Sequence, residues 1–225
     1  MSFNAFMYIL IIPAFILTIW AQFRVKGTFK KWSEVPVNSG ITGYQAARHM
    51  LDTHGLHDVQ IVTVPGTLSD HYNPVNRTVA LSEDVYYGNS ISSVSVACHE
   101  IGHAIQHQQA YPMLALRHKI FPVVNFASGV APFLILAGFF FSHTLIGLGI
   151  LFFAVTVIFQ LITLPVEFNA SNRAREIMVS EGYITNEEER GVGKVLNAAA
   201  LTYVAAALVA LLELIRLIGI FNSRD

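Results

Sequence analysis

Polarity along this chain changes in long blocks. Residues 3–23 carry no charge, and at 1.5 Å per residue such a run crosses about 30 Å of hydrocarbon as a helix. A basic leader before it and an A-x-A site after it are both absent, so the pattern predicts a membrane span rather than a cleaved signal. Arg24, Lys26, Lys30 and Lys31 follow the run, which predicts a cytoplasmic downstream side and an N-terminus outside. Residues 120–166 contain no Asp, Glu, Lys or Arg, too long a stretch for one span and suited to two. These are expected over 120–141 and 145–166, with Ser142, His143 and Thr144 as the turn and His143 solvated at the outer surface. A last apolar block over 196–221 holds Glu213 and Arg216, three apart on one helix face, an arrangement that reads as an ion pair near the membrane edge.

The polar blocks between these runs show shorter periods. Thr42 is placed to cap a helix over 43–54, with Gly55 at its end. Residues 59–64 alternate and are rich in β-branched side chains, and 77–81 repeat the pattern, so two short strands are expected, with Pro65-Gly66 turning the chain after the first. Residues 91–105 form a mostly apolar run of helical period, with Asn89 or Ser90 as its cap and Pro112 beyond its end. Thr185, with Glu188 three residues on, opens a helix that grades into the last apolar block.

Composition agrees with this layout. The 225 residues are 53% hydrophobic and 13% charged, with a mean hydropathy of +0.51, which points to a membrane protein. Four spans place both polar segments on one side. Arg117, Lys119, Arg173, Arg175, Arg190 and Lys194 lie on that side and little beyond Arg224 on the other, so the side with the polar segments is expected to be cytoplasmic and both termini outside. The expected fold is a mostly α integral membrane protein of about four transmembrane helices with a small α+β cytoplasmic domain. The expected layout is a first span over 1–23, the α+β domain over 24–119, a transmembrane hairpin over 120–166, a further helix and cytoplasmic segment over 167–195, and a fourth span over 196–221. A net charge of −1 gives no reason to expect nucleic acid as a partner. The single Cys98 excludes an intrachain disulfide framework and reads as a buried, inert thiol.

The chemistry lies in the helix over 91–105, which contains His99-Glu100-Ile101-Gly102-His103. Histidines four apart on a helix stack on one face, and their two imidazoles can bind one Zn²⁺ at about 2.0–2.1 Å each. A glutamate after the first histidine then sits beside the open metal position, where it can take a proton from zinc-activated water and return it to a leaving amine. A catalytic zinc needs a third protein ligand. The H-E-x-x-H-x-x-G-x-x-H solution fails, since Gln106 and Gln109 stand at its last two fixed positions. His107 lies about 12 Å along the helix axis from His99, too far to share the metal, and reads as supporting or structural. Glu167 is the better candidate: the two preceding spans return it to the side of His99, and a His₂Glu site takes its carboxylate from a later helix. The competing reading is an interfacial carboxylate that starts a helix after Pro165; Glu176 is the next candidate ligand. On the segment before the second strand, His71 or Tyr72 is a candidate donor to a developing oxyanion, against a plain turn over residues 70–74.

Four stretches carry a family resemblance: residues 68–74 (LSDHYNP), 99–107 (HEIGHAIQH), 164–171 (LPVEFNAS) and 196–206 (LNAAALTYVAA). With these, nearly the whole chain resembles the YugP-type bacterial membrane zinc metallopeptidases, also called neutral zinc metallopeptidases. The order helix, strands, then H-E-x-x-H helix over 24–119 is that of a zincin-like domain, and 167–195 holds the third-ligand helix and a cytoplasmic segment; the shared face of His99 and His103 predicts about one zinc per chain. The resemblance implies a gluzincin-like membrane endopeptidase of the bacterial cell membrane, with zinc held by His99, His103 and Glu167 and with Glu100 as base. It implies a membrane-associated protein or peptide substrate, with the lipid bilayer as surroundings. A more distant similarity is to the HtpX and CAAX prenyl protease group, whose E-x-x-x-D motif orients a zinc histidine through its aspartate; here Ser171 stands at that position. The alternative function is a zinc-binding membrane scaffold or regulator of a neighbouring membrane protein that cleaves nothing. A purely structural site needs no glutamate after the first histidine, and it usually closes with a fourth protein ligand, of which none is evident.

Overall fold

The computed structural model describes residues 3–223 and gives a mostly helical chain with one small sheet. Arg224 lies outside the described residues. The elements in order are α1 (Phe3–Ser33), α2 (Gly43–Thr53), β1 (Gln60–Val64), β2 (His71–Asn73), β3 (Thr78–Ser82), α3 (Glu83–Tyr86), α4 (Ile91–Gln108), α5 (Pro112–Phe140), α6 (His143–Ser180) and α7 (Asn186–Asn222). Among the described residues, α5, α6 and α7 are long and apolar enough to cross a membrane. The first apolar run lies within the 31-residue helix α1.

The chain divides into two compact units. One contains residues 1–22, 113–165 and 201–225, and the other contains 23–112 and 166–200. The first is apolar helix on helix. Ile146, Ile150 and Leu217 are buried there against Ile135, Phe153, Leu214 and Phe221. A Cβ at Gly138 would sit 2.6 Å from the backbone nitrogen of Ile146, so a residue without a side chain lets α5 and the start of α6 approach closely. His143, expected to be solvated in the turn, is half-buried: its ring stacks on Phe221 with centroids 3.9 Å apart and its Nε2 lies 3.1 Å from the Phe221 carbonyl. Glu213 and Arg216 form an ion pair through two hydrogen bonds, the Nε one at 2.8 Å.

The second unit has a continuous core made from Phe29 of α1, Met50 and Leu51 of α2, Val79 and Leu81 of β3, Ile101 and Ile105 of α4, Met178 of α6 and Val192 of α7, among others. Its sheet has the order β1-β3-β2, with β1 parallel and β2 antiparallel to β3. The helix starts follow their caps. The Thr42 hydroxyl accepts from the Gln45 N–H at 3.2 Å while the Gln45 side chain accepts from the Thr42 N–H at 2.9 Å, a reciprocal box. Thr185 and Glu188 form the same box at the start of α7. Of the two candidate caps of α4, Ser90 does the capping, accepting from the Ser93 N–H at 3.1 Å.

Three elements depart from expectation. Residues 71–73 form an edge strand, although Asp70–Pro74 is rich in turn formers; the Asp70 carboxylate is turned inward and accepts from the Ser82 N–H at 2.7 Å, which ties the start of the strand down. Pro112 opens α5, four residues beyond the end of α4. At a first helical position its missing N–H costs nothing and its φ is already helical. No break separates the third apolar run from the helix bearing Glu167: α6 continues through Pro165, whose lack of an N–H leaves the Leu161 carbonyl without its usual helical donor but does not end the helix.

Candidate metal centre

Two helices of the second unit build the site. Helix α4 supplies His99, Glu100 and His103, and the α6 segment after Pro165 supplies Glu167. What brings them together is Gly102, between the two histidines on α4. A Cβ there would lie 2.7 Å from the carbonyl oxygen of Ala170 and 3.2 Å from its Cα, so only glycine lets the α6 backbone come this close. Ala170 is fully buried in the contact, and Glu167 lies three residues before it, one helical turn back.

The geometry follows. The rings of His99 and His103 stand edge to face, with centroids 4.8 Å apart and planes at 85°. Glu167 Oε2 lies 3.3 Å from His99 Nε2 and 3.5 Å from His103 Nε2. The three ligand atoms fall within 4.8 Å of one another. Ligands placed tetrahedrally at about 2.0–2.2 Å from a common ion are about 3.4 Å apart, so the two Glu167–histidine spacings and this N,N,O donor set suit Zn²⁺. The Glu167 side chain is 4% exposed and those of His99 and His103 are 15% and 11%, so the site is sheltered with an opening on the histidine side. Glu100 is also buried, at 8%.

The electrostatics match. Burial alone would raise the Glu167 carboxyl, but the His103 and His99 imidazoles beside it outweigh that and hold it well below the usual carboxylate range. Burial would lower His103, yet the adjoining Glu167 carboxylate, followed by Glu100 and Gln106, raises it above its ordinary value. The site thus holds a carboxylate that stays ionised and favours a positive partner.

Around the ligands, the Ser171 hydroxyl is 3.1 Å from His99 Nδ1. The buried amide of Gln106 meets His103 Nδ1 at 3.0 Å with its oxygen, and its nitrogen donates to the Val166 carbonyl and to Asn169 Oδ1, both at 2.9 Å. In the sequence Gln106 stands where the H-E-x-x-H-x-x-G-x-x-H pattern has glycine, and nothing in that pattern marks it as a partner of His103. Its spacing of three from His103 on one helix face was the available signal. His107 is exposed and its Nδ1 lies 2.9 Å from the Tyr72 hydroxyl. His71 is exposed, with Nδ1 against the Ser69 carbonyl at 2.9 Å. Glu176 is exposed on α6, outside the three-residue cluster. Cys98 is fully buried on α4, and burial pushes its thiol well up, which makes it a packing residue.

Two histidines and a glutamate converging from an H-E-x-x-H helix and a later helix are the donor set of a hydrolytic zinc centre. The family described as "Putative neutral zinc metallopeptidase" matches residues 7–222, and this chain belongs to it. It is 63% identical over 218 residues to the "Putative membrane protease YugP" of Bacillus subtilis (strain 168), covering 96% of this chain and 97% of that protein. No solved structure matches.

Proposed function

We propose that this chain is a multi-pass zinc endopeptidase of the bacterial cell membrane that hydrolyses peptide bonds of membrane or juxtamembrane polypeptides from the cytoplasmic side. The observation that carries the reading is the approach of Glu167 Oε2 to His99 Nε2 and His103 Nε2 at 3.3 and 3.5 Å, with the buried Glu100 next in sequence to one of them. In this reading His99, His103 and Glu167 hold one Zn²⁺, and the two neutral imidazoles and the carboxylate leave a net positive centre. When bound, the ion supplies Lewis-acid polarisation of the scissile carbonyl and of the attacking water. The Glu100 carboxylate accepts the proton of that water and then delivers it to the leaving amine nitrogen, so the residue is regenerated in each turnover. The shelter around Glu167 excludes bulk water and strengthens its hold on a cation.

The family and the relative's name support a protease; a zinc-binding scaffold would share the ligands but have no use for the base. The test is metal analysis and peptide-bond cleavage by the purified protein beside Glu100→Gln. Wild type is expected to carry about one zinc per chain. Glu100→Gln should keep the zinc and lose roughly 10²–10⁴-fold in cleavage. His99→Ala and His103→Ala should lose the metal. Full zinc in the double alanine variant would overturn the ligand set, and full activity in Glu100→Gln would overturn the mechanism.

A further inference from the structure

Two donor-only or acceptor-only groups fix the direction of a hydrogen-bond chain that ends on a metal histidine. A backbone carbonyl can only accept, and a guanidinium can only donate. The Arg173 Nε donates to Asn169 Oδ1 at 2.7 Å, while its Nη1 donates to Gln109 Oε1 at 2.6 Å. Asn169 must therefore present its oxygen, not its nitrogen, to this corner. The Gln106 amide nitrogen faces that oxygen and the Val166 carbonyl, each at 2.9 Å, and both accept. Reversing the Gln106 amide would set its oxygen against two acceptors inside a fully buried site. Its oxygen is consequently committed to His103 Nδ1 at 3.0 Å, and it can only accept. The Nδ1 position must carry a proton, so Nε2, 3.5 Å from Glu167 Oε2, is the ring nitrogen left to meet a metal ion. His99 differs, because the Ser171 hydroxyl beside its Nδ1 can donate or accept and so dictates neither tautomer.

We infer that Gln106 is the positioning residue of the metal centre: anchored on Val166 and Asn169 of the Glu167 helix, it holds His103 in the Nδ1–H tautomer, aims its Nε2 at the ion, and joins the two ligand-bearing helices through one amide. The inference rests on the proposed zinc site. Supporting groups of this kind are typically worth about 10–100-fold in metal affinity.

The test uses the full-length purified protein. Chelator competition should show Gln106→Met binding zinc about 10–100-fold more weakly than wild type. Gln106→Glu retains an acceptor for His103 and should fall between the two. Simple core packing predicts the opposite order, with the apolar Met tolerated and the buried Glu not, so Met binding as tightly as Glu overturns the inference. A second measurement needs no substitution: ¹⁵N NMR of the metal-free wild type above the imidazole titration should show His103 as the Nδ1–H tautomer, and an Nε2–H tautomer there overturns the inference even if Gln106→Met does not fold. A wild type that binds no zinc, with His103 in the Nδ1–H form, would instead fault the underlying zinc reading.

Discussion

At the scale of single residues, the site depends on an absent side chain as much as on those present. Gly102→Ala adds a methyl 2.7 Å from the Ala170 oxygen, where backbone and not a flexible side chain must yield. Overpacking of this kind typically costs about 1–3 kcal/mol, and here it would also move the turn of α6 that carries Glu167. Gly193→Ala is the contrast, since a Cβ there meets nothing within 4 Å and lies inside α7. It should gain up to about 1 kcal/mol through helix propensity. Thermal melting of the two variants with zinc titration should show Gly102→Ala lower in both stability and metal affinity and Gly193→Ala lower in neither; equal behaviour would mean that the α4–α6 approach has slack. Tyr72 is the second residue-scale case. Burial pushes its hydroxyl above the ordinary value, so at neutral pH it keeps its proton, and it sits 2.9 Å from His107 Nδ1, one helical turn beyond His103. As a donor to the developing oxyanion it should show itself in Tyr72→Phe as a lowered kcat with zinc retained. An unchanged kcat removes Tyr72 from the reaction.

At the scale of elements, helix starts were legible because their signals are local. The Thr185–Glu188 box is a four-residue pattern, and the structure adds that the same Glu188 carboxylate accepts from the Asn38 N–H at 2.7 Å. Thr185→Ala should therefore cost about 1 kcal/mol, the usual worth of a cap, whereas Glu188→Ala should cost more because it also releases Asn38. Equal losses in thermal melts of the two variants would show that the Asn38 contact contributes nothing. Helix α4, strands β1 and β3 and the apolar helices were legible for the same reason, since period and end signals lie within a few residues of each other. Strand β2 was not, because its three residues are held by pairing with β3 and by the Asp70–Ser82 hydrogen bond, twelve positions apart. The continuity of α6 was hidden because Pro165 reads locally as a break. In the site, the spacing of His99, Glu100 and His103 carries its own chemistry. The parts that join α4 to α6, Gly102 against Ala170 and Gln106 against Val166 and Asn169, link positions at least 60 residues apart and have no pattern within either segment.

At the scale of the whole molecule, chain order constrains topology. Residues 23–112 and 166–200 form one compact unit, so the chain that leaves at 112 and returns at 166 makes an even number of crossings if it crosses at all. Helices α5 and α6 are each long and apolar enough for one crossing. Reporter fusions after Gly66 and after Asn186 should therefore give the same reading, and the Lys and Arg distribution predicts that it is cytoplasmic. Opposite readings would separate Glu167 from the histidines across the bilayer and remove the metal centre. The same chain order bears on the substrate. Glu167 follows a run with no Asp, Glu, Lys or Arg over residues 120–166, so the proposed ligand begins where the apolar sequence ends. A polypeptide already tethered to the membrane is concentrated in the layer where such a ligand lies, while a soluble peptide gains nothing from the lipid. Purified protein in vesicles should cut a peptide carrying a transmembrane anchor much faster than the same peptide without it, and the advantage should vanish when the anchored peptide is presented in separate vesicles. Glu167→Gln, which keeps the shape but removes the charge that offsets Zn²⁺, should lower zinc affinity and turnover on both peptides alike. Equal cleavage of anchored and free peptide by the wild type would detach the substrate preference from the position of Glu167 while leaving the metal site intact.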